Sequence, residues 1–153
     1  MKKIYYFVIL FLAVAIFLSG CGSVISPTNL SGNWTMTNTT TSTTTSFFNV
    51  GAVTTSKCNI IDNNGSLTIY NFKIINSEYI NWNIGYGTFK SSIIKANISG
   101  NYLNIYGQTV STIVYFEGII NPDGISGSGT WTQTISVSGY MDSASGTTIF
   151  IKG

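Results

Sequence analysis

Short segments in which apolar and polar side chains alternate recur along this chain, and they restrict it to extended strands. Within 130–137, the apolar residues Trp131, Ile135 and Val137 alternate with threonine and serine. Successive side chains of a strand point to opposite faces, so such a segment has one apolar and one polar face. Strands of this kind are typical of antiparallel sheets, whereas parallel sheets are apolar on both faces. The pattern therefore predicts an antiparallel all-β protein.

Clusters of Gly, Asn, Asp and Ser separate the apolar runs, and no apolar stripe of helical period is present. We predict turns at 62–65, 99–101, 121–124 and 144–146. The polar run 39–45 is predicted to form a loop between the first two strands. The predicted strands are 33–38, 45–50, 56–61, 66–72, 79–89, 93–98, 102–107, 110–120, 125–138 and 147–152.

Glycines inside two of the long runs favour a closed sheet. Gly85 and Gly87 interrupt one run, and Gly127 and Gly129 interrupt another. Glycine within a strand usually marks a bulge or a sharp bend, which a sheet needs in order to close. We therefore predict an up-and-down β-barrel of about eight to ten strands. A β-sandwich is the alternative.

The residues Gly32-Asn33-Trp34 resemble the Gly-x-Trp opening of the calycins, the lipocalin and avidin-like barrels. The later segments 127–131 and 146–151 are similar to small lipocalin-like bacterial lipoproteins. The resemblance implies that Trp34 plugs one end of a barrel. Because Trp34 and Met36 are two residues apart, both are expected on its inner face.

The N-terminal segment resembles the signal of bacterial lipoproteins. Lys2 and Lys3 precede an apolar run over 4–18, which ends in Leu18-Ser19-Gly20-Cys21. This run is shorter than the ~18–20 residues that span a bilayer, and the small residues Ser19 and Gly20 directly precede the cysteine. An ordinary secretory signal with a chance cysteine, or an uncleaved anchor helix, is therefore the less favoured alternative. The resemblance implies a signal peptide over 1–20, a lipidated tether over 21–29 that begins at Cys21, and a single barrel domain over 30–153. It also implies the bacterial cell envelope: the outer membrane of a diderm cell, otherwise the outer face of the cell membrane.

The composition argues against most chemistry. The chain contains no histidine, so a Ser-His-Asp arrangement is impossible. Beyond the signal, five lysines balance five acids and arginine is absent, which leaves no electrostatic footprint for nucleic acid. Cys58 alternates with Ile60 and is predicted to be a buried apolar residue, a reactive thiol being the alternative. We expect no enzyme activity, no cofactor and no metal site.

Two classes of function remain. The aromatic residues predicted to face the interior suggest a barrel that binds a small apolar or amphipathic ligand; they are Trp82, Tyr86, Phe116 and Trp131. The alternative is a structural or interaction lipoprotein of the envelope whose core these residues fill. Gln133 is a further polar group predicted to point inward. Glu117 lies in an apolar strand and either faces solvent or points into a cavity.

Overall fold

The computed structural model describes residues 29–44, 48–75, 77 and 79–153, which form a sheet of nine strands. The predicted signal peptide and Cys21 lie outside these residues. No helix in the described part of the chain is long and apolar enough to cross a membrane. The strands are β1 (Gly32–Thr43), β2 (Val53–Asn63), β3 (Ser66–Ile74), β4 (Asn81–Trp82), β5 (Gly85–Lys90), β6 (Ile93–Leu103), β7 (Thr109–Ile120), β8 (Ser126–Val137) and β9 (Tyr140–Lys152).

Every pairing is antiparallel, and the sheet closes on itself. Eight strands follow one another around the barrel in the order β1, β2, β3, β5, β6, β7, β8, β9, and β9 pairs with β1. The two-residue strand β4 pairs with β6 beyond the end of β5. The predicted up-and-down antiparallel barrel is confirmed, and the sandwich is excluded. An eight-stranded barrel has an interior that side chains fill, or that holds one small ligand.

Alternation along each strand determines which of its residues line the interior of the barrel. In β7, each second residue from Val110 to Ile120 is buried, while the residues between them face outward. The inward side chains of Trp34 and Met36 are likewise buried, as predicted. Burial of apolar surface stabilises the fold by about 25 cal/mol per Å², so the alternation fixes which face of each strand points inward.

The two ends of the barrel differ in how they are closed. At the end where β1 begins, Leu30 is fully buried and its carbonyl accepts a hydrogen bond of 2.7 Å from Trp34 Nε1. Asp62 accepts from the Leu30 amide (3.0 Å) and from the Gly65 amide (2.7 Å), which joins the incoming chain to the β2–β3 turn. We call this the closed end. The opposite end is the open end, and the described residues of its connections are 44, 48–52, 75, 77, 79–80, 104–108 and 138–139.

Several predicted boundaries are wrong. The predicted turns 99–101 and 144–146 lie inside β6 and β9, which are therefore longer than predicted. Most of the run 39–45 belongs to β1, because β9 pairs with β1 as far as the register Thr43–Ala144. The predicted strand 45–50 is not found at 48–50, which lie in the β1–β2 connection, and 45–47 fall outside the described residues.

Cys58 is buried near the closed end, where it is the cross-strand partner of Trp34, and its burial raises the pKa of the thiol to about 12. The folded pKa lies above the ordinary value of 9.0. This contribution to stability is therefore complete below about pH 9 and is lost as the pH rises from 9 toward 12. In a Cys21→Ser chain at pH 8, we expect Cys58 to resist a thiol reagent such as dithionitrobenzoate, and to react fully in urea. Rapid labelling of the native chain would contradict the burial.

Candidate functional site

A cavity of about 280 Å³ occupies the half of the barrel interior nearest the open end. Its wall includes Phe116 on β7 and Trp131 on β8, which are direct cross-strand partners. Tyr79, in the β3–β4 connection, also lines the cavity and is largely exposed, so the cavity reaches the surface at this end. Ligand sites usually have volumes of about 300–1,000 Å³, so this cavity suits a small molecule.

The half of the interior nearest the closed end is filled. The gap among its side chains has a volume of about 20 Å³, room for about one water molecule, against about 280 Å³ in the other half. Gly118 and Gly129 pair across β7 and β8 here, and a side chain at Gly118 would collide with the ring of Phe150 at 2.6 Å. The close approach of the β7 and β8 backbones leaves room for large side chains to fill this half. The free space is therefore confined to the half nearest the open end.

The structure brings together two of the four aromatic residues predicted to bind a ligand. Phe116 and Trp131 are buried and line the cavity. Trp82 is partly buried against the core and packs edge-on against Phe72 of the wall, with ring centroids 4.7 Å apart, but it does not itself line the cavity. Phe48, which the sequence did not single out, lies over Trp131 with a centroid separation of 6.3 Å.

Tyr86 does not face the interior, and its predicted orientation is wrong. Its side chain is 60% exposed on the outer surface. Trp82 and Tyr86 are four residues apart in the sequence. Their partners on β6 are Gly100 and Asn97, which are only three residues apart. The extra residue forms a β-bulge between β4 and β5, and a bulge reverses the alternation beyond it.

Two neutral amides lie in the cavity wall. Asn38 Nδ2 donates to Ser56 Oγ at 2.9 Å, and Gln133 Nε2 donates to Thr112 Oγ1 at 2.9 Å. All four residues are buried, and Gln133 points inward as predicted. Each hydrogen bond fixes the orientation of the amide that donates it.

Glu117 faces solvent, which decides between the two alternatives left by the sequence. Its carboxylate forms an ion pair of 2.9 Å with Lys95 Nζ, on the outer surface. The hydrogen bond from Lys95 holds the pKa of Glu117 below its usual value, and the same contact raises the pKa of Lys95. Such exposed pairs contribute little to stability. The pair lies outside the barrel and takes no part in the cavity.

The open end is rimmed by apolar and aromatic side chains. Tyr79 and Tyr102 stack edge to face with their ring centroids 5.2 Å apart, and both line the cavity. Six more large side chains around this end are exposed: Val50, Leu103, Ile105, Tyr106, Tyr140 and Met141. The apolar run at 102–106 is the sequence signal for this rim. Its pattern predicts a strand, but β6 ends at Leu103.

A wider depression lies on the outer surface across β1, β2 and β3. Asn71 donates to Asn59, which donates to Asn33, and this row of amides is flanked by Lys57 and Lys73. The depression is a solvent-exposed polar groove separate from the interior cavity.

No group of three or more His, Cys, Asp or Glu residues that would hold a metal ion occurs in the described part of the chain. Comparisons of the chain with protein-family models, with curated proteins and with solved structures found no match. The class of the protein is therefore defined by its geometry alone: a closed eight-stranded antiparallel barrel with one filled end and one hollow end.

Proposed function

We propose that this protein is a membrane-anchored bacterial lipoprotein that binds a small apolar or amphipathic molecule in its barrel, without catalysis. The observation that supports binding is the cavity of about 280 Å³ lined by Phe116 and Trp131 and open at one end. A barrel with a purely structural core would fill this space, as the half of this barrel nearest the closed end is filled. Apolar cavities of about 150 Å³ already accept a molecule of the size of benzene.

Binding is tested by native mass spectrometry of the protein purified from its own cells, followed by titration of its tryptophan fluorescence with amphiphiles. We expect a co-purifying small molecule and a fluorescence change, because the indole of Trp131 lies in the cavity wall. A Trp131→Phe variant should lose most of the change, while Trp34→Phe, in the filled half, should retain it. No bound molecule and no response to any amphiphile would overturn the binding function.

A structural or interaction role in the envelope is the second candidate. The observation that favours it is the apolar rim around the open end, because contiguous exposed apolar surface often marks a contact with another molecule. This role requires no occupant of the cavity. It becomes the better interpretation if the titration fails while the rim remains necessary for association with envelope components.

The membrane anchor is tested separately at Cys21. We expect a Cys21→Ser variant to leave the membrane fraction or to remain unprocessed, because acyl chains on this residue would supply about 0.8 kcal/mol per buried methylene. Fractionation and the apparent mass of the chain measure the effect. Cys58→Ser is the matched control, since Cys58 is buried in the barrel. Unchanged maturation and membrane retention of Cys21→Ser would eliminate the lipoprotein proposal.

A further inference from the structure

The cavity wall defines the chemistry of the ligand, on the premise that the barrel binds one. We propose that the site takes an uncharged molecule with an apolar body and a polar end that donates hydrogen bonds, such as an alcohol or a primary amide, and that it rejects carboxylates and ammonium ions. The inference rests on the absence of charge from the described wall and on the polar atoms that the wall presents.

None of the described residues that line the cavity is Asp, Glu, Lys, Arg or His. Tyr102 also lines the cavity, and desolvation raises the pKa of its phenol, which keeps it neutral at physiological pH. A buried charge is strongly disfavoured unless an opposite charge or several hydrogen bonds compensate it. A charged ligand end would find no counter-charge on this wall.

The wall contains neutral hydrogen-bonding atoms, both acceptors and donors, that have no partner among the described residues. Because Asn38 and Gln133 use their amide nitrogens within the wall, their carbonyl oxygens, Oδ1 and Oε1, have no partner among the described residues. The indole Nε1 of Trp131 is a buried donor that also lacks a partner in this part of the chain. A side chain at Gly146 would lie 2.8 Å from that nitrogen, so glycine leaves the indole room.

These atoms distinguish between polar head groups. A hydroxyl or a primary amide can donate to a wall carbonyl and accept from an indole N–H. A carboxylate only accepts, so it would leave the wall carbonyls unpaired and would lose its hydration with no counter-charge to compensate it. An ammonium ion only donates, and it would leave the indole N–H unpaired while losing its own hydration. The uncharged head is the one that both kinds of wall atom can satisfy.

The experiment compares four compounds with the same eight-carbon chain: 1-octanol, octanamide, octanoate and octylammonium. The full chain carrying Cys21→Ser is kept in solution with an amphipathic polymer, free of small detergents, and the polymer alone is titrated as a blank. Calorimetry and tryptophan fluorescence at pH 7 give the affinities. We expect octanol and octanamide to bind at least tenfold more tightly than either charged compound.

A double variant tests whether the amide of Gln133 forms a hydrogen bond with the head group of the ligand. Thr112→Val with Gln133→Met replaces both partners of one hydrogen bond by apolar groups of similar shape, a change that is often nearly neutral for stability. We expect octanamide to lose at least fivefold in affinity, while octane binding is unchanged or improves. Gln108→Met, in the β6–β7 connection outside the cavity wall, is the control and should not alter either affinity.

Glu78, the acid next to Ser77 in sequence, lies outside the described residues, and a Glu78→Gln variant shows whether it contributes. Octylammonium binding that equals octanol binding, and that disappears in Glu78→Gln, would overturn the inference. Equal binding of octanoate would overturn it as well, yet leave the binding function standing. If none of the four compounds nor octane binds, the proposed binding function itself fails.

Discussion

Replacing Trp34 with alanine is expected to lower the free energy of unfolding by about 3–5 kcal/mol, as removal of a large buried aromatic side chain does. The Trp34 side chain is 3% exposed at the closed end, and its indole nitrogen donates to the carbonyl of buried Leu30. The substitution therefore leaves a cavity and an unpaired carbonyl together. Since small domains have a stability of about 5–15 kcal/mol, the variant should be unfolded or severely weakened. Urea denaturation followed by circular dichroism measures the change.

Two further substitutions serve as controls for this prediction. Trp34→Phe keeps an aromatic ring in the closed end and removes the hydrogen bond, so it should be less destabilising than the alanine variant. Tyr140→Ala removes an aromatic side chain that is 79% exposed and should shift the transition little. A loss below about 1 kcal/mol in Trp34→Ala would show that the closed end does not depend on this side chain.

The second large effect is expected for Gly129→Ala, which adds a single methyl group. A Cβ atom at Gly129 would lie 2.1 Å from the carbonyl oxygen of Glu117 and 2.5 Å from Gly118 Cα. Both are backbone atoms of β7, so no side-chain rotation relieves the contact and the two strands must separate. We expect a loss of about 1–3 kcal/mol, the usual range for overpacking. Thermal unfolding of the variant beside the parent chain measures it.

Gly153→Ala is the matched control, because a Cβ at Gly153 meets no atom within 4 Å. It should unfold with the parent chain. If Gly129→Ala is also as stable as the parent, then β7 and β8 do not approach as closely as the structure places them. The packing of Phe150 against Gly118 would then need another explanation.

Much of the fold was predictable, because strand alternation is a local signal that burial enforces. The glycines show where local signals end. Gly65 follows Asn64 in a turn, as predicted, whereas Gly100 and Gly146 lie inside strands that were predicted to break there. What requires glycine at these two positions is a neighbour from elsewhere in the chain: a Cβ at Gly100 would lie 2.8 Å from the ring of Trp82, and one at Gly146 would lie 1.8 Å from the carbonyl oxygen of Thr39. Nothing in the adjacent sequence distinguishes this requirement from a turn.

The candidate site was predictable where strands are regular and was missed where one is not. Phe116 and Trp131 lie in uninterrupted strands, so the alternation of side chains between the two faces correctly predicts that both point inward. Tyr86 follows a bulge, and a single extra residue moved it to the outside. Gly85 signalled an irregularity there, but a composition signal does not tell which residue is the extra one. The sequence also does not predict that only one half of the interior is filled, because this depends on which side chains meet across the barrel.

Both ends of the described chain lie at the closed end: Lys152 Nζ donates to the Asn29 carbonyl at 3.0 Å, and the Gly153 amide donates to Asn33. On the proposed anchoring at Cys21, the eight steps to Asn29 reach at most about 29 Å. A twelve-residue strand tilted by about 40° rises roughly 30 Å, so the mouth lies roughly 30 Å along the barrel axis from the end that carries the tether. On this anchoring, the barrel is attached to the membrane by its closed end. A ligand would then enter and leave at the end of the barrel away from its point of attachment.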